Sequence, residues 1–196
     1  MNSFAYLKGL AITQFKKDQK WMGSHFEYLS RLSNDSGGKV GERFINGFCK
    51  VNNIPCEYKT KNKNNSSYDI IINGKKVEIK TATFGKSRTF QHENLRNNGD
   101  YEYILFVDVL PDYYYVSILP KFDLSQKSEL LNRTPHLRKG TTDVYKLDFS
   151  EKTLKNLVSL GYSVKINEQT RDYVLCDLIL KHIKENNNSQ LDGTFE

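Results

Sequence analysis

Residues 68–80 read Tyr68-Asp69-Ile70-Ile71-Ile72-Asn73-Gly74-Lys75-Lys76-Val77-Glu78-Ile79-Lys80, and this stretch decides the fold. Three β-branched isoleucines make a strand. Asn73-Gly74 is a strong type I′ turn signal, and Val77 and Ile79 alternate with polar residues on the way back. The stretch is therefore expected to be a β-hairpin. With the turn at Asn73-Gly74, Ile72 pairs with Lys75 and Ile70 with Val77, so Asp69 lies opposite Glu78. Glu78 and Lys80 are two residues apart and share one strand face, while Val77 and Ile79 point to the other, toward a core. Two carboxylates and an amine thus converge on one patch. Like charges this close repel unless a cation lies between them, and a hard divalent metal with oxygen ligands is the natural occupant.

Working outward, Phe4, Leu7, Leu10, Ala11 and Phe15 recur at helical steps. They predict a helical region over 3–32, its second part carrying His25, Phe26, Tyr28, Leu29 and Leu32. Ser33-Asn34-Asp35-Ser36-Gly37-Gly38 predicts a break, followed by a helix over 39–52 with Val40, Phe44, Ile45 and Phe48 as its apolar stripe. Glu42 lies off that stripe, early in the helix. An extended segment is expected at 54–58 and an exposed polar loop at 59–67. Beyond the hairpin, 84–98 is polar and basic with no clear period. Buried strands are expected at 103–109 and 113–119, around a Pro111-Asp112 turn. A loop with a short helix at 125–132 and a basic loop at 133–141 follow. Ser150 is expected to cap a helix through Leu160. A last helix at 169–185 puts Leu175, Leu178, Ile179 and Ile183 on one face, before a frayed tail.

The expected fold class is α/β: a central mixed β-sheet of about four or five strands flanked by helices, with C-terminal helices added. A single domain over 1–196 is expected, with its core at about 37–120 and with 1–36 and 121–196 as additions.

Composition narrows the function classes. The net charge of +6 and pI of about 9.0 suit a polyanionic partner. Cys49, Cys56 and Cys176 form no CxxC pair and are odd in number, which predicts reduced structural thiols and no zinc site. No apolar run is long enough to span a bilayer and Met1-Asn2-Ser3 begins no signal peptide, so a cytoplasmic protein is expected. His25, His92, His136 and His182 show no HExxH spacing, and neither GxSxG nor GxxxxGK[ST] occurs. Metalloprotease, serine-hydrolase and P-loop chemistries therefore lack their residues.

Glu42 on a helix, Asp69 on one strand and Glu78-Ile79-Lys80 on the next resemble the PD-(D/E)XK nuclease superfamily, which includes many restriction endonucleases and some repair and recombination nucleases. Gly41-Glu42 is similar to the family's opening helix. Gln91 falls where many restriction-type members carry a polar residue. Tyr68 stands where the motif's name has proline. The resemblance spans about 37–120 and implies a restriction-endonuclease-like core with Mg²⁺-dependent DNA cleavage, Mn²⁺ being a substitute. Asp69, Glu78 and the Ile79 carbonyl would hold the metal, and Glu42 a second metal or a water. Lys80 would orient or deprotonate the attacking water and offset charge on phosphorus. Gln91 would position water or touch phosphate.

The resemblance is nearest to type II restriction enzymes, which implies double-stranded DNA as partner, a homodimer, and a cognate DNA methyltransferase in the host. Lys86, Arg88, Gln91, His92, Asn94 and Arg96, with Arg133, His136, Arg138 and Lys139, are the candidate DNA contacts. Two other readings stay open: a structure-selective repair or recombination nuclease, and a non-catalytic nucleic-acid-binding protein. For the hairpin itself the alternative is a solvated strand face with a cross-strand charge pair.

Overall fold

A computed structural model of the chain describes residues 19–58 and 68–184. Two sheets organise them. The larger takes its strands in the order β1 (Cys56–Tyr58), β2 (Ile70–Ile72), β3 (Lys75–Thr83), β5 (Tyr103–Val109), β6 (Tyr114–Pro120) and β9 (Ser163–Ile166). Only β3 and β5 run parallel. The smaller sheet is antiparallel, with β8 (Tyr145–Ser150) between β4 (Thr89–Leu95) and β7 (His136–Leu137). Three helices are described: α1 (Asn34–Val51), α2 (Glu151–Ser159) and α3 (Tyr173–His182). This is the expected mixed α/β class, with more strands than expected.

The β2–β3 hairpin has the predicted register, Ile72 with Lys75 and Ile70 with Val77. Asn73 and Gly74 both take positive φ, 49° and 75°, as a type I′ turn requires. The turn is anchored elsewhere too, since Asn73 Nδ2 donates to the Ile183 carbonyl at 2.7 Å.

The large sheet is covered on both faces, which is why β5 is apolar at every position from Ile104 to Val107. On one face Ile70, Val77, Ile79, Leu105 and Val107 pack with Ile45 of α1 and Leu178 and Ile179 of α3. On the other, Ala82, Ile104, Phe106 and Leu119 pack with Phe90, Leu147 and Phe149 of the small sheet and Leu154 and Leu157 of α2. Val77 and Ile79 thus belong to the first face, leaving Glu78 and Lys80 on the side of the small sheet.

Several expectations are corrected. Ser33–Gly38 is not a break: Ser33 is the N-cap, its side chain accepting from Ser36 N, and the helix already runs through Gly37 and Gly38. Glu42 consequently sits mid-helix. Val40 is exposed, and Gly41, Ile45 and Cys49 form the buried stripe. Residues 19–32 form two short 3₁₀ turns, Gln19–Trp21 and Leu29–Arg31, and the helix expected before residue 19 falls outside the described residues, as do the 59–67 loop and the tail. Residues 125–132 form turns and a Ser128–Arg133 bridge instead of a helix. The basic loop at 133–141 contains β7. The large sheet is completed only by β9, far past residue 120. Ser150 caps α2 as expected, accepting from Thr153 N, and Leu175, Leu178, Ile179 and Ile183 are buried together.

Candidate active site

The site starts from the hairpin. One step beyond the Ile70–Val77 pair brings Asp69 opposite Glu78, and the Asp69 backbone N–H donates to the Val77 carbonyl at 3.0 Å. Asp69 is only 7 % exposed. Its Oδ2 accepts from the Ile79 backbone N–H at 2.9 Å, which fixes the carboxylate beside β3. Glu78 and Lys80 extend from the same face of β3. Their side chains are 15 % and 16 % exposed, and Lys80 Nζ lies 2.5 Å from Glu78 Oε1.

Glu42 arrives from α1. The helix passes so close to β3 that a Cβ on Gly41 would fall 1.8 Å from Thr81 Oγ1. Only glycine permits this approach. Glu42 is further held by the Tyr58 hydroxyl, which donates to its Oε2 at 2.9 Å. Burial, and then the bond to Glu42, push the Tyr58 phenol above its usual value.

These residues line one cleft of about 670 Å³, in which Glu42, Asp69, Glu78, Ile79 and Lys80 face Lys86, Gln91, His92, Glu93 and Asn94. Strand β3 forms one wall and β4 the other. Tyr101 was not anticipated. Its hydroxyl donates to the Arg96 carbonyl at 2.7 Å, and burial followed by the charge of Glu78 pushes its phenol up to about 12.

The donors, on Asp69 just before β2 and on Glu78 and Ile79 of β3, are hard oxygens: two carboxylates and the Ile79 carbonyl. That is a donor set suited to Mg²⁺, which is typically held by one or two carboxylates with water and phosphate completing its shell. Among the described residues no three His, Cys, Asp or Glu side chains are grouped closely enough to hold a metal ion. The cysteines are free thiols, as expected.

The expected DNA contacts divide. Lys86, Gln91 and Asn94 are exposed and line the cleft. Arg88, Arg96, His136, Arg138 and Lys139 are exposed outside it. Arg133 is partly buried, its Nη1 donating to the Asp148 carbonyl at 2.6 Å. His92 does not fit the role. It is 1 % exposed, with Nε2 2.9 Å from Asp108 Oδ1 and its ring packed on Phe106 and Phe149. The cause is strand alternation: Phe90 and His92 point inward from β4, and Gln91 and Glu93 outward. The two basic segments, far apart in sequence, meet in the small sheet, where Arg138 Nη1 donates to Asn94 Oδ1 at 3.2 Å.

No protein-family model matches the chain, and no curated protein sequence matches it. Among solved structures, a bacterial homing endonuclease, I-Ssp6803I, overlaps 76% of this chain and 92% of its own, with a TM-score of 0.40 and 12% identity. No helix among the described residues is long and apolar enough to cross a membrane.

Proposed function

We propose that the chain is a Mg²⁺-dependent endonuclease hydrolysing DNA phosphodiester bonds, a type II restriction endonuclease of the PD-(D/E)XK kind, acting on duplex DNA as a homodimer in the cytoplasm. One observation carries the reading. The hairpin register sets Asp69 against Glu78 and Lys80, with the Asp69 carboxylate fixed by the Ile79 N–H at 2.9 Å. Three groups of the right chemistry share one face at the floor of a cleft.

Asp69, Glu78 and the Ile79 carbonyl would hold the cation, which when bound draws charge from the scissile phosphate. The chain's own residues do the rest. Lys80 keeps a proton at Nζ that offsets charge growing on the phosphoryl oxygens, and it orients the attacking water. Gln91, across the cleft, offers an amide to the phosphate or to that water. Glu42 accepts from water on the side of α1, its orientation fixed by Tyr58. Lys86 at the cleft mouth and Arg88 nearby draw the DNA backbone in.

A second reading is favoured by the 2.5 Å Lys80–Glu78 ion pair, which neutralises Glu78 with no metal. On that reading the chain binds nucleic acid and does not cut it. Purified protein incubated with long unmethylated duplex DNA and Mg²⁺, followed by sequencing of the ends, separates the outcomes. Ends at one recurring sequence are expected. Cuts confined to branched or mismatched substrates would replace the restriction assignment with a structure-selective nuclease, and intact but retained DNA would establish the binding protein.

A further inference from the structure

The small sheet has one dry face and one wet face. Phe90, His92 and Leu95 of β4 and Tyr145, Leu147 and Phe149 of β8 are buried. Gln91, Glu93, Lys146 and Asp148 alternate with them and face out. His92 pairs with Leu147 and Leu95 with Tyr145, with a register shift between, so Glu93 and Asn94 together lie opposite Lys146. Lys146 in turn pairs with His136 of β7. Glu93, Lys146 and His136 therefore form a row across three strands: an acceptor, a donor, and a ring able to do either. An outward polar face is ordinary for an antiparallel sheet. Three further features set this one apart. Glu93 lines the cleft that holds Asp69, Glu78 and Lys80. Cations lie beyond both ends of the strands, Lys86 and Arg88 before β4, and Arg138 and Lys139 after β7, where Arg138 reaches Asn94. Asp148 Oδ1, shielded from solvent and 3.8 Å from Lys146 Nζ, accepts no hydrogen bond among the described residues.

We infer that this face enters the major groove of duplex DNA and that Glu93, Lys146 and His136 read base edges there, which rests on the nuclease reading for the same cleft. The dimensions agree. Two neighbouring strands about 4.8 Å apart, such as β4 and β8, make the two-stranded ribbon that a groove about 12 Å wide admits, with β7 at its rim. Outward residues two apart on a strand are separated by about 6.6 Å, close to two base steps of about 3.4 Å. The chemistry is specific. A carboxylate accepts from the cytosine N4 amino group, and a lysine donates to guanine O6 and N7. The flanking cations hold phosphates on either side. Because β4 both reads and lines the cleft, the bases read lie within a few steps of the bond cut.

The test reads binding, so it stands apart from cleavage. The full chain, without divalent metal, is mixed with a pool of duplexes randomised over their central segment, and the bound fraction is sequenced. Wild type should enrich a motif containing a C·G pair. Glu93→Gln should shift one position of that motif toward adenine and lower enrichment of the wild-type motif about tenfold, while Lys146→Gln should relax a neighbouring position. Thermal unfolding checks that each variant is folded, and either variant alone suffices. No enriched motif, or a motif unchanged in both variants, would overturn the inference. So would a wild-type dimer that Glu93→Gln dissociates without change in motif, which would make this face a contact between copies. A shifting motif in a protein that never cuts upholds the reader and sinks the nuclease; cutting with an unchanged motif does the reverse.

Discussion

Gly41 and Thr81 are in contact with no room for a methyl group between α1 and β3. A Cβ on Gly41 would meet Thr81 Oγ1 at 1.8 Å, Cβ at 3.0 Å and Cγ2 at 3.3 Å. Threonine is β-branched and stiff at χ1, and rotation about χ1 leaves its Cβ at 3.0 Å, itself a tight approach. Gly41→Ala should therefore cost about 1–3 kcal/mol by overpacking and lower the melting temperature by several degrees. Gly37 and Gly47 lie on the same helix with nothing near their added Cβ. Ala at either should instead stabilise by about 0.5–1 kcal/mol, from helix propensity alone. Thermal unfolding of the three variants checks the pair of signs; three equal shifts would contradict the packing.

His92 and Asp108 are wholly buried and 2.9 Å apart, off the line of a good hydrogen bond. Burial raises the Asp108 carboxyl above its usual value, and His92 opposes the rise. A carboxyl raised in the folded state binds its proton more tightly than in the unfolded chain. Its contribution to stability is thus fully present below the unfolded value and is lost as pH rises through the folded one. Asp108→Asn removes that titration. Wild-type stability relative to Asp108→Asn should fall as pH rises above the usual Asp value of about 3.9, measured by denaturant unfolding across a pH series. A difference that does not change with pH would contradict the raised carboxyl.

Lys86 and Arg88 are exposed on the turn leading into β4. If they meet phosphates, each substitution by alanine weakens binding alike on all duplex sequences and reduces the steepness of log K against log salt by about 1. Titrations at several salt concentrations check this. An unchanged slope would remove both residues from the DNA path.

The hairpin was legible because everything that specifies it is local: three isoleucines, Asn73-Gly74 and an alternating return strand. β5, β6 and the Ser150 cap were legible for the same reason. The small sheet was not. β4 pairs with β8, about fifty residues away, and its alternation is broken between His92 and Leu95, where Asn94 takes a φ of 59°. The inward His92 therefore read as one of a polar, basic set, and its partner Asp108 lay hidden in an apolar run. The helix start was misread because Gly37-Gly38 looked like a break, while the Ser33 cap and tertiary packing carry α1 through it. Asp69, Glu78 and Lys80 could be placed on one face from the sequence. Tyr58, which orients Glu42, and Tyr101, beside Glu78, could not, because no short-range pattern links them.

The central claim is that Asp69, Glu78 and Lys80 form a hydrolytic site. The most direct measurement is single-turnover cleavage of duplex DNA in Mg²⁺ by wild type, Glu78→Ala and Lys80→Ala, with DNA affinity measured in parallel. Cleavage by wild type that falls about 10²–10⁴-fold in both variants, at nearly unchanged affinity, is the predicted result. A wild type that binds without cutting, or a Lys80→Ala variant that cuts at the wild-type rate, would contradict it.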